Sequence, residues 1–338
     1  MITAERLKTI LAGFPHLTIG LVGDLFLDRY LEIPDDVCEM SIETGLEAYQ
    51  IARVRNQPGA LGTVLNNLAA LGVGALIPVT LIGDDGHGFD LLRALRNLPV
   101  DPALVIRDPD RLTPTYTKPL RISRDGSCTE LNRLDVRVRA PLSEAATQRI
   151  CEAMTEVWHR VDGLIVLDQI NELNWGVVND TVRAHLETLS RQQPDKLMLI
   201  DSRAHLERFR CGSPKGNEIE FTRAAKQDGG ASNAAESAAS MLANRNLATA
   251  FCTVGAKGIL VARPGKPVET VPGFPVPGPV DIVGAGDSAT SGIVASLLAG
   301  ASETEAATIG NLVASITVQV IGSTGTATPD QVLKALPQ

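Results

Sequence analysis

Short apolar runs and longer amphipathic segments alternate along most of the chain. The apolar runs have the length of buried strands, and the segments between them carry apolar residues at helical spacing. The predicted strands are Leu17–Val22, Leu76–Ile82, Gly163–Leu167, Leu197–Ile200, Ala250–Val254 and Ile259–Ala262. The predicted helices include Leu142–Arg160, Trp175–Arg191, Ser288–Gly300 and Glu303–Ile321. Repeated strand–helix units favour an α/β fold with a parallel sheet, right-handed crossovers and helices on both faces.

Two regions interrupt this alternation. The segment Leu31–Gln57 is acidic in its first half and has extended-looking stretches, which are not typical of a crossover helix. The segments Thr113–Ile122 and Cys128–Val138 alternate enough for strands, and a turn at 124–126 joins them. We expect these segments to form a second, small sheet.

A glycine-rich turn stands directly before the predicted helix Ser288–Gly300. Gly284 and Gly286 let the backbone turn sharply and let a ligand approach the N–H groups. A helix start also offers unpaired N–H donors and the positive end of the helix dipole, so the turn predicts an anion site. Asp287 would then lie beside the anion, in position to accept a proton from an attacking hydroxyl. A tight turn with Asp287 as a helix cap explains the same residues equally well.

Acidic residues follow several predicted strands. Asp24, Asp168 and Asp201 each stand at the carboxyl end of a strand, and ligands of open α/β sheets bind beyond those ends. Asp24, together with Asp28 four residues later, is therefore a candidate for binding the hydroxyl groups of a ligand. A turn capped by Asp24 is an equally good interpretation.

Polar residues also mark three predicted helix starts. Asp85 is predicted to cap the helix after the turn 83–88, and Asn233 with Glu236 has the spacing of a capping box. Asn217 precedes Glu220 by the same spacing, which an ordinary solvated helix start explains.

Composition narrows the function classes. The chain has 338 residues, 44% of them hydrophobic and 4% aromatic, with a net charge of −8. Few aromatic residues and a negative charge argue against nucleic acid or an anionic membrane as a partner. A phosphorylated ligand would need local positive charge, and Lys118, Arg121 and Arg133 bring it to the second sheet. Ordinary solvated strand faces account for each of these three residues as well.

Three further features indicate a cytoplasmic protein. The first fourteen residues predict a short amphipathic helix without the layout of a signal peptide. No apolar run approaches the length needed to span a bilayer. The five cysteines are scattered, with no closely spaced pair, so we expect reduced thiols and no metal site built on them.

The stretch VDIVGAGDSATSGIVASLLAG resembles the second signature of the PfkB/ribokinase family of carbohydrate kinases. Further motifs of that family follow the same order from about residue 17 to 329, among them GDLFLDRY, PGALGTVLNNLAALG, GDDGHG and NEIE. The order TPTYTK…RLD is similar to the heptose 7-phosphate kinase branch. The resemblance implies a single ribokinase-like domain over 1–338, a three-layer α/β/α sandwich with a mainly parallel sheet. A small β-sheet lid would be formed by about 31–57 and 112–138.

The resemblance also implies an activity and its residues. The family transfers the γ-phosphoryl group of ATP to a sugar hydroxyl, with Mg²⁺ and in some members K⁺. Asp287 would be the catalytic base, and Gly284, Ala285 and Gly286 the anion hole. The substrate would be bound by Asp24, Asp28, Gly59, Thr63, Lys118, Arg133 and Asp168. The nucleotide would be bound by Asp201, Asn217, Gly255, Gly258, Asn311 and Ala314, although plain core packing also explains the last two. Asn217 and Glu220 would organise Mg²⁺ through water, and two lids would pair in a homodimer.

Four positions depart from the family pattern. Val283 stands where a Thr is usual, Ala60 replaces the second glycine, and Thr63 replaces an Asn that contacts substrate. Asn171 lies where the heptose branch has a lysine motif. Two alternatives to a sugar kinase therefore stay open. One is a nucleoside or polyol kinase of the same fold, and the other is a sugar- or nucleotide-binding homologue with weakened turnover.

Overall fold

Strands and helices alternate in the computed structural model, which describes residues 2–36, 38–230 and 234–337. The strands are β1 (Thr18–Gly23), β2 (Leu25–Pro34), β3 (Glu39–Met40), β4 (Glu47–Ala48), β5 (Arg53–Ala60), β6 (Ala75–Gly83), β7 (Val105–Asp108), β8 (Thr115–Ile122), β9 (Cys128–Glu130), β10 (Leu134–Val136), β11 (Gly163–Asp168), β12 (Leu197–Ser202), β13 (Ser213–Asn217), β14 (Ala250–Thr253), β15 (Gly258–Ala262) and β16 (Glu269–Pro272). The α-helices are α1 (Ala4–Gly13), α2 (Leu61–Ala70), α3 (Gly86–Leu95), α4 (Glu144–Arg160), α5 (Asp180–Gln192), α6 (Glu218–Gln227), α7 (Ala235–Asn246), α8 (Ala285–Leu298), α9 (Glu303–Thr317) and α10 (Pro329–Ala335).

A nine-stranded sheet forms the middle layer. Its strand order is β16-β15-β14-β13-β12-β11-β1-β6-β7. The strands from β14 to β7 pair in parallel, and β15 and β16 add an antiparallel edge. Apolar side chains of α2, α8 and α9 pack on one face of this sheet, and those of α4 to α7 pack on the other. The predicted three-layer arrangement with a mainly parallel sheet is confirmed.

A smaller, second sheet begins directly after the first strand of the main sheet. β2 follows β1 after a single residue, Asp24, and belongs to a second sheet of order β10-β8-β2-β5, with β9 paired to β8. The register places Asp28 beside Tyr116 and Tyr30 beside Lys118, so these four side chains share one face. We call this second sheet the lid. The short hairpin of β3 and β4 lies between β2 and β5 along the chain.

Several predicted boundaries need correction. α5 starts at Asp180 and not at Trp175, because the Asn179 side chain accepts the N–H of Val182 and begins the helix there. α9 ends at Thr317, four residues before the predicted end. The predicted capping box at Asn233 lies outside the described residues.

Other expectations from the sequence have counterparts in the structure. Asp85 caps α3 by accepting the N–H of Gly88 at 2.7 Å. Gly300 follows α8 with φ +82°, as expected for a glycine that ends a helix. All five cysteines are free thiols. Among the described residues, no helix has the length and apolar character required to cross a membrane.

Candidate active site

The first turn of α8 leaves its backbone donors open. Gly284 is the N-cap residue and adopts the left-handed region at φ +79°. Because glycine has no side chain, no side-chain atom accepts a hydrogen bond from the first N–H groups of the helix. Ala285 turns its N–H inward, to the carbonyl of Ile282. Within the described chain, the N–H groups of Gly286 and Asp287 have no acceptor. Two free donors at the positive end of a helix dipole suit an anion. Asp287 occupies the third helical position, so the helix-cap interpretation is wrong.

The Asp287 carboxyl is held in an unusual electrostatic environment. Burial raises its pKa to about 7, because a buried carboxylate loses hydration, and the negative charge of Asp201 adds to the effect. The positive charges of Lys215 and Arg203 act in the opposite direction. A carboxyl group with a pKa near neutrality both accepts and releases a proton at physiological pH.

A buried lysine lies beneath the α8 turn. Lys215 is 3% exposed, and its Nζ donates to Asp201 Oδ2 at 2.7 Å. Thr290 donates to the same oxygen at 3.3 Å. A Cβ placed on Gly286 would lie 3.1 Å from Lys215 Nζ, so the ammonium group is directly under the turn. Burial alone would lower the pKa of Lys215, but the neighbouring carboxylates raise it above its ordinary value. The lysine therefore stays charged.

Sequence reasoning missed Lys215. The available signal was a single lysine within a short, otherwise buried strand, two residues before Asn217. A charge in such a position requires a partner of opposite sign.

Arg203 is a second residue that the sequence did not single out. It follows the end of β12, two residues after Asp201, and its side chain forms no ion pair with the described residues. Burial raises the pKa of both Asp287 and Tyr116, and the charge of Arg203 opposes that rise in both groups. The charge of Arg203 therefore acts on the α8 turn and on the lid together.

Asn217 and Glu220 form a reciprocal capping box at the start of α6. The Asn217 side chain accepts the N–H groups of Ile219 and Glu220, at 3.0 and 2.9 Å, and Glu220 Oε2 accepts the N–H of Asn217 at 2.7 Å. Burial and the charge of Asp201 raise the pKa of Glu220. The described residues contain no group of three or more acidic, histidine or cysteine side chains arranged around a metal position. A metal held mostly by water and phosphate would still find Asp201 and Glu220 close together.

Asp24 faces a loop and not the open cleft. Its carboxylate accepts the N–H groups of Val177 at 2.8 Å, Gln169 at 2.9 Å and Ile170 at 3.3 Å. Asp24 is 4% exposed, and a Cβ on Gly176 would lie 2.9 Å from both of its carboxylate oxygens. These contacts place Asp24 against the loop 169–177, and its predicted contact with a ligand hydroxyl stays a prediction.

Asp168 is also enclosed. Ser202 donates to it at 2.8 Å, and the buried guanidinium of Arg183 lies 3.5 Å from it. Burial raises the pKa of Asp168 to about 7, and the nearby charge of Asp24 contributes to the rise. The predicted substrate contact of Asp168 likewise stays a prediction. Its contacts are those of an internal polar network beside Asp24.

Asp28 is a largely enclosed lid carboxylate without a hydrogen-bond partner among the described residues. It is 9% exposed, yet it forms no hydrogen bond with the described residues. A Cβ on Gly59 would lie 2.8 Å from Asp28 Oδ2, so the glycine keeps the space beside the carboxylate open. Burial raises the pKa of Asp28, and the charges of Lys118 and Arg133 oppose the rise. A largely enclosed carboxylate without a protein partner is available to a ligand that donates to it.

Two cations share the face of Asp28 but differ in their pairing. Arg133 forms a two-fold hydrogen-bonded ion pair with Asp135, at 2.7 and 2.9 Å, and stacks on the Tyr116 ring. Lys118 approaches the Tyr30 hydroxyl at 3.4 Å and makes no ion pair with the described residues. Of these two cations, Lys118 is therefore the one whose charge is not used in an ion pair with the described residues.

Thr63 links the lid side to the α8 turn. It is 3% exposed, in the first turn of α2, and a Cβ on Gly284 would lie 3.4 Å from its methyl group. The residue before α2 is Ala60, which adopts φ +53° and ψ −115°. That conformation is typical of glycine, which the family has at this position.

Four of the six predicted nucleotide-binding residues lie at the turn 255–258 and on the neighbouring helix α9. Gly255 has φ +60° with open space beside it, and a Cβ on Gly258 would collide with the Val271 carbonyl at 2.1 Å. Asn311 donates to the carbonyls of Val271 and Pro272, both at 3.1 Å, so its amide nitrogen fixes β16. Ala314 is partly buried one turn further along α9. The structure brings these residues to one side of the α8 turn, and their contact with a nucleotide stays a prediction.

Asp281 joins two loops with exposed apolar residues on that same side. Its carboxylate accepts the N–H groups of Val283 and Gly322, both at 3.0 Å. Ile282 and Ile321 are 76% and 59% exposed on the loops thus connected. An apolar surface next to an anion site suits a ligand with a flat ring and phosphate groups.

Comparison with known proteins gives a consistent result. The pfkB family of carbohydrate kinases matches residues 210–331. A protein of Bradyrhizobium sp. strain ORS 278, "Bifunctional protein HldE", is 28% identical over 325 residues, which cover 95% of this chain and 64% of that protein. The protein of the same name from Trichlorobacter lovleyi is 27% identical, with 94% and 62% covered. The chain thus spans less than two thirds of the length of these relatives.

Solved structures confirm the fold. Phosphofructokinase-2 from Escherichia coli in complex with potassium superposes with a TM-score of 0.69, at 18% identity, covering 94% of this chain and 98% of the other. Arabidopsis thaliana ribokinase complexed with ribose and ATP gives a TM-score of 0.66, at 18% identity, with 95% and 99% covered. The predicted ribokinase-like architecture is therefore confirmed.

Proposed function

We propose that this chain, whose residues 210–331 match the pfkB family of carbohydrate kinases, transfers the γ-phosphoryl group of ATP to a hydroxyl group of a sugar or sugar phosphate. The observation that carries the proposal is the position of Asp287. Its carboxyl group stands in the first turn of α8 beside two unpaired backbone donors and above a buried ammonium group. This arrangement provides a base and an anion site within a few atoms of each other.

Asp287 takes the proton of the acceptor hydroxyl as that oxygen attacks phosphorus. Phosphoryl transfer depends mostly on positioning and on stabilising the charge of the transferred group. The N–H groups of Gly286 and Asp287 and the ammonium of the buried Lys215 supply that stabilisation. Arg203 faces the same space from the end of β12 and adds positive charge at the lid side.

The acceptor is held by the lid face in this proposal. Asp28 accepts from sugar hydroxyls, because its carboxylate has no other partner, and Gly59 leaves room for the sugar beside it. Lys118 and Arg133 favour an acceptor that carries a negative group, and Thr63 provides a hydroxyl near Gly284. Lid closure would exclude water, which otherwise competes as the acceptor.

ATP lies on the side of Gly255 and Gly258 in this proposal, with its base near Asn311 and Ala314. Asp201, Asn217 and Glu220 would hold Mg²⁺ through its water ligands, since magnesium keeps most of its waters and takes few carboxylates. Bound there, the ion would shield the charge of the nucleotide phosphates. K⁺ is a candidate activator, which exchange of K⁺ for Na⁺ in the assay tests directly. We expect the reaction to take place in the cytoplasm.

The experiment is an assay of ADP release with a panel of sugars, sugar phosphates, nucleosides and polyols. We expect one sugar or sugar phosphate to raise ADP release far above ATP hydrolysis in water. Asp287→Asn should lower the transfer rate by roughly 10²–10⁴, the usual cost of removing a general base. Nucleotide binding should persist, because a negative group beside the phosphates has gone. An Asn variant within a few-fold of wild type would remove Asp287 from the mechanism. Thermal shifts by sugars without any ADP release would favour a binding protein.

Heptose 7-phosphate should be a poor substrate in that panel. Thr63 and Asn171 replace two polar groups of the branch that this chain resembles. A site built to hydrogen-bond a hydroxyl loses large factors when one partner is missing. Heptose 7-phosphate with the highest kcat/KM of a broad panel would contradict this expectation.

The lid is also our proposed homodimer interface. On the β3–β4 hairpin, Met40 is 56% exposed, Ile42 is fully exposed and Leu46 is 68% exposed. Sheet edges and apolar tips of this kind are usually paired or covered. Light scattering at micromolar concentration should give the mass of a dimer, and Ile42→Asp should shift it towards the monomer. A monomeric wild type would contradict the proposal.

A further inference from the structure

The middle of the lid carries a row of three side chains on one face. The register places Gln57 of β5 and Tyr116 of β8 directly beside Asp28 of β2. Side chains at paired positions of adjacent strands project from the same face of a sheet. The charge of Arg203 acts on Tyr116 and on Asp287 alike, which puts this row on the side of the lid nearest the α8 turn. Gln57 therefore lies on the face that would hold the acceptor.

The amide group of Gln57 has no hydrogen-bond partner among the described residues. Its oxygen, Oε1, is enclosed by other atoms and still accepts no hydrogen bond. Its nitrogen donates none and is not enclosed, and the residue as a whole is partly exposed. Enclosed amide oxygens are nearly always paired in folded proteins. The fold alone therefore gives no reason for a polar side chain at this position.

Gln57 and Asp28 oppose each other without a hydrogen bond between them. The carboxylate of Asp28 leans towards Gly59, where a Cβ would lie 2.8 Å from Oδ2. The Cβ atoms of directly opposed residues are about 5 Å apart, so the two polar groups enclose a narrow gap. A hydroxyl group placed in this gap donates its proton to the carboxylate, which only accepts, and accepts an N–H of the amide. An ether oxygen or a methylene group cannot do both.

The tyrosine rings of this face are covered by cations. Tyr30 is 3% exposed, and the side-chain charges of Arg55 and Lys118 lie 4.7 and 4.9 Å from the centre of its ring. The guanidinium of Arg133 lies 4.5 Å from the centre of the Tyr116 ring. A nucleoside base therefore finds little ring surface to stack on, and the face favours an acceptor that presents hydroxyl groups.

We propose that Gln57 is a specificity-determining residue for the acceptor, an inference that rests on the proposed function. Its amide N–H₂ group donates to the same acceptor hydroxyl that donates to Asp28. Asp28 alone accepts from any donor, whereas the pair selects a group that both donates and accepts. Because this contact is made by the lid and not at the reacting atoms, it binds the acceptor and the transition state equally.

Two variants of Gln57 separate hydrogen bonding from size. Gln57→Glu keeps the shape of the side chain but removes its N–H donors, and Gln57→Met is apolar and of similar length. We expect both to raise KM for the best acceptor of the panel about tenfold, the range of one hydrogen bond, with kcat within a few-fold of wild type. A wild-type KM in Gln57→Glu would mean that size alone matters, and it overturns the proposal.

Asn56 is the matched control on the same strand. It is likewise partly exposed, and its Oδ1 is also enclosed without a partner among the described residues. It pairs with Arg29, whose ion pair with Asp90 of α3 at 3.0 Å marks the opposite face of the lid. Asn56→Leu should therefore leave KM unchanged.

Urea unfolding shows whether Gln57 has a structural role. Gln57→Met and Asn56→Leu each remove an enclosed, unpaired oxygen, so neither should lower the midpoint of urea unfolding. A marked loss of stability in Gln57→Met alone would assign the residue to the fold and overturn the proposal.

Analogues that lack one hydroxyl group identify the partner of Gln57. The acceptor with the highest kcat/KM in the panel is compared with its singly deoxygenated analogues, as 2-deoxy-D-ribose is with D-ribose. We expect one analogue on which wild type and Gln57→Met have equal kcat/KM, because the two changes remove the same hydrogen bond. If Gln57→Met is as much slower than wild type on every analogue as on the full acceptor, the proposal is wrong.

The inference and the proposed function can fail separately. If no acceptor raises ADP release, the proposed function is wrong, and the sugars of the panel are titrated into wild type and variants by calorimetry. A Kd about tenfold higher in both Gln57 variants and unchanged in Asn56→Leu then supports the role of Gln57 in a binding protein. If no sugar binds, the inference fails as well. ADP release with an unchanged KM in both Gln57 variants overturns the inference and leaves the proposed function in place.

Discussion

Lys215 and Asp201 form a buried ion pair under the first turn of α8, with Lys215 Nζ 2.7 Å from Asp201 Oδ2. The side chains of the pair are 4% and 8% exposed. The pair couples two adjacent parallel strands, β12 and β13, to the helix that carries Asp287. The Lys215 ammonium interacts with the carboxylates of Asp201, Glu220 and Asp287. Its positive charge reduces the repulsion between these three carboxylates.

Lys215→Met should damage both stability and turnover. Removing one partner of a buried pair leaves the other charge uncompensated, at a cost of about 3–5 kcal/mol in the free energy of unfolding. The double variant Lys215→Met/Asp201→Asn removes both charges and should recover much of that loss. Urea unfolding and ADP release measure the two properties. Since the ammonium would contact the transferred phosphoryl group, the double variant should stay inactive. Recovered activity would show that Lys215 has a structural role only.

The pH dependence of the reaction should report on Asp287. Its pKa of about 7 means that the base form is gained as pH rises through neutrality, so kcat/KM should increase across that range. The charge of Arg203 lowers this pKa, and Arg203→Met should therefore move the rising limb to higher pH. Arg191→Met, on the exposed face of α5, is the matched control and should leave the profile in place. A limb that does not move in Arg203→Met contradicts the assignment.

The sequence predicted the architecture better than the roles of single residues. Period and spacing specify a parallel sheet and an open helix start at Gly284, because both depend on local patterns. Asp24 and Asp28 are four residues apart, and either could bind a ligand on sequence alone. The loop 169–177, distant in sequence, occupies Asp24 and leaves Asp28 free. Lys215 was missed for the same reason, since its partner Asp201 belongs to the preceding strand.

Asp168 should make stability depend on pH. Its pKa is about 7 in the folded chain, against an ordinary value of 3.8. Between these values the folded state keeps a proton that the unfolded state has released. The free energy of unfolding should therefore fall as pH rises from about 4 to about 7, with a slope of at most ~1.4 kcal/mol per pH unit from this group. The loss is complete above the folded pKa.

Asp168→Asn removes that titration while it keeps a polar side chain of similar size. Urea unfolding of both proteins at several pH values between 4.5 and 7.5 gives the difference in their free energies of unfolding. We expect this difference to change in favour of the variant as pH rises. A difference that is constant over the range would mean that Asp168 titrates at its ordinary pKa in the folded chain.

Ala60→Gly should stabilise the protein. Ala60 adopts φ +53° and ψ −115°, a conformation that glycine reaches without strain and that costs other residues about 1–3 kcal/mol. The greater conformational freedom of glycine in the unfolded chain lowers the free energy of unfolding by about 0.4–1 kcal/mol. The net increase in the free energy of unfolding should therefore be roughly 1 kcal/mol. Ala184→Gly, at an exposed position within α5, is the matched control and should lose about 1 kcal/mol, since its backbone is helical. Urea unfolding measures both variants. A loss of stability in Ala60→Gly would mean that the contacts of the Ala60 methyl group outweigh the strain, and that this departure from the family pattern is an adaptation of the site.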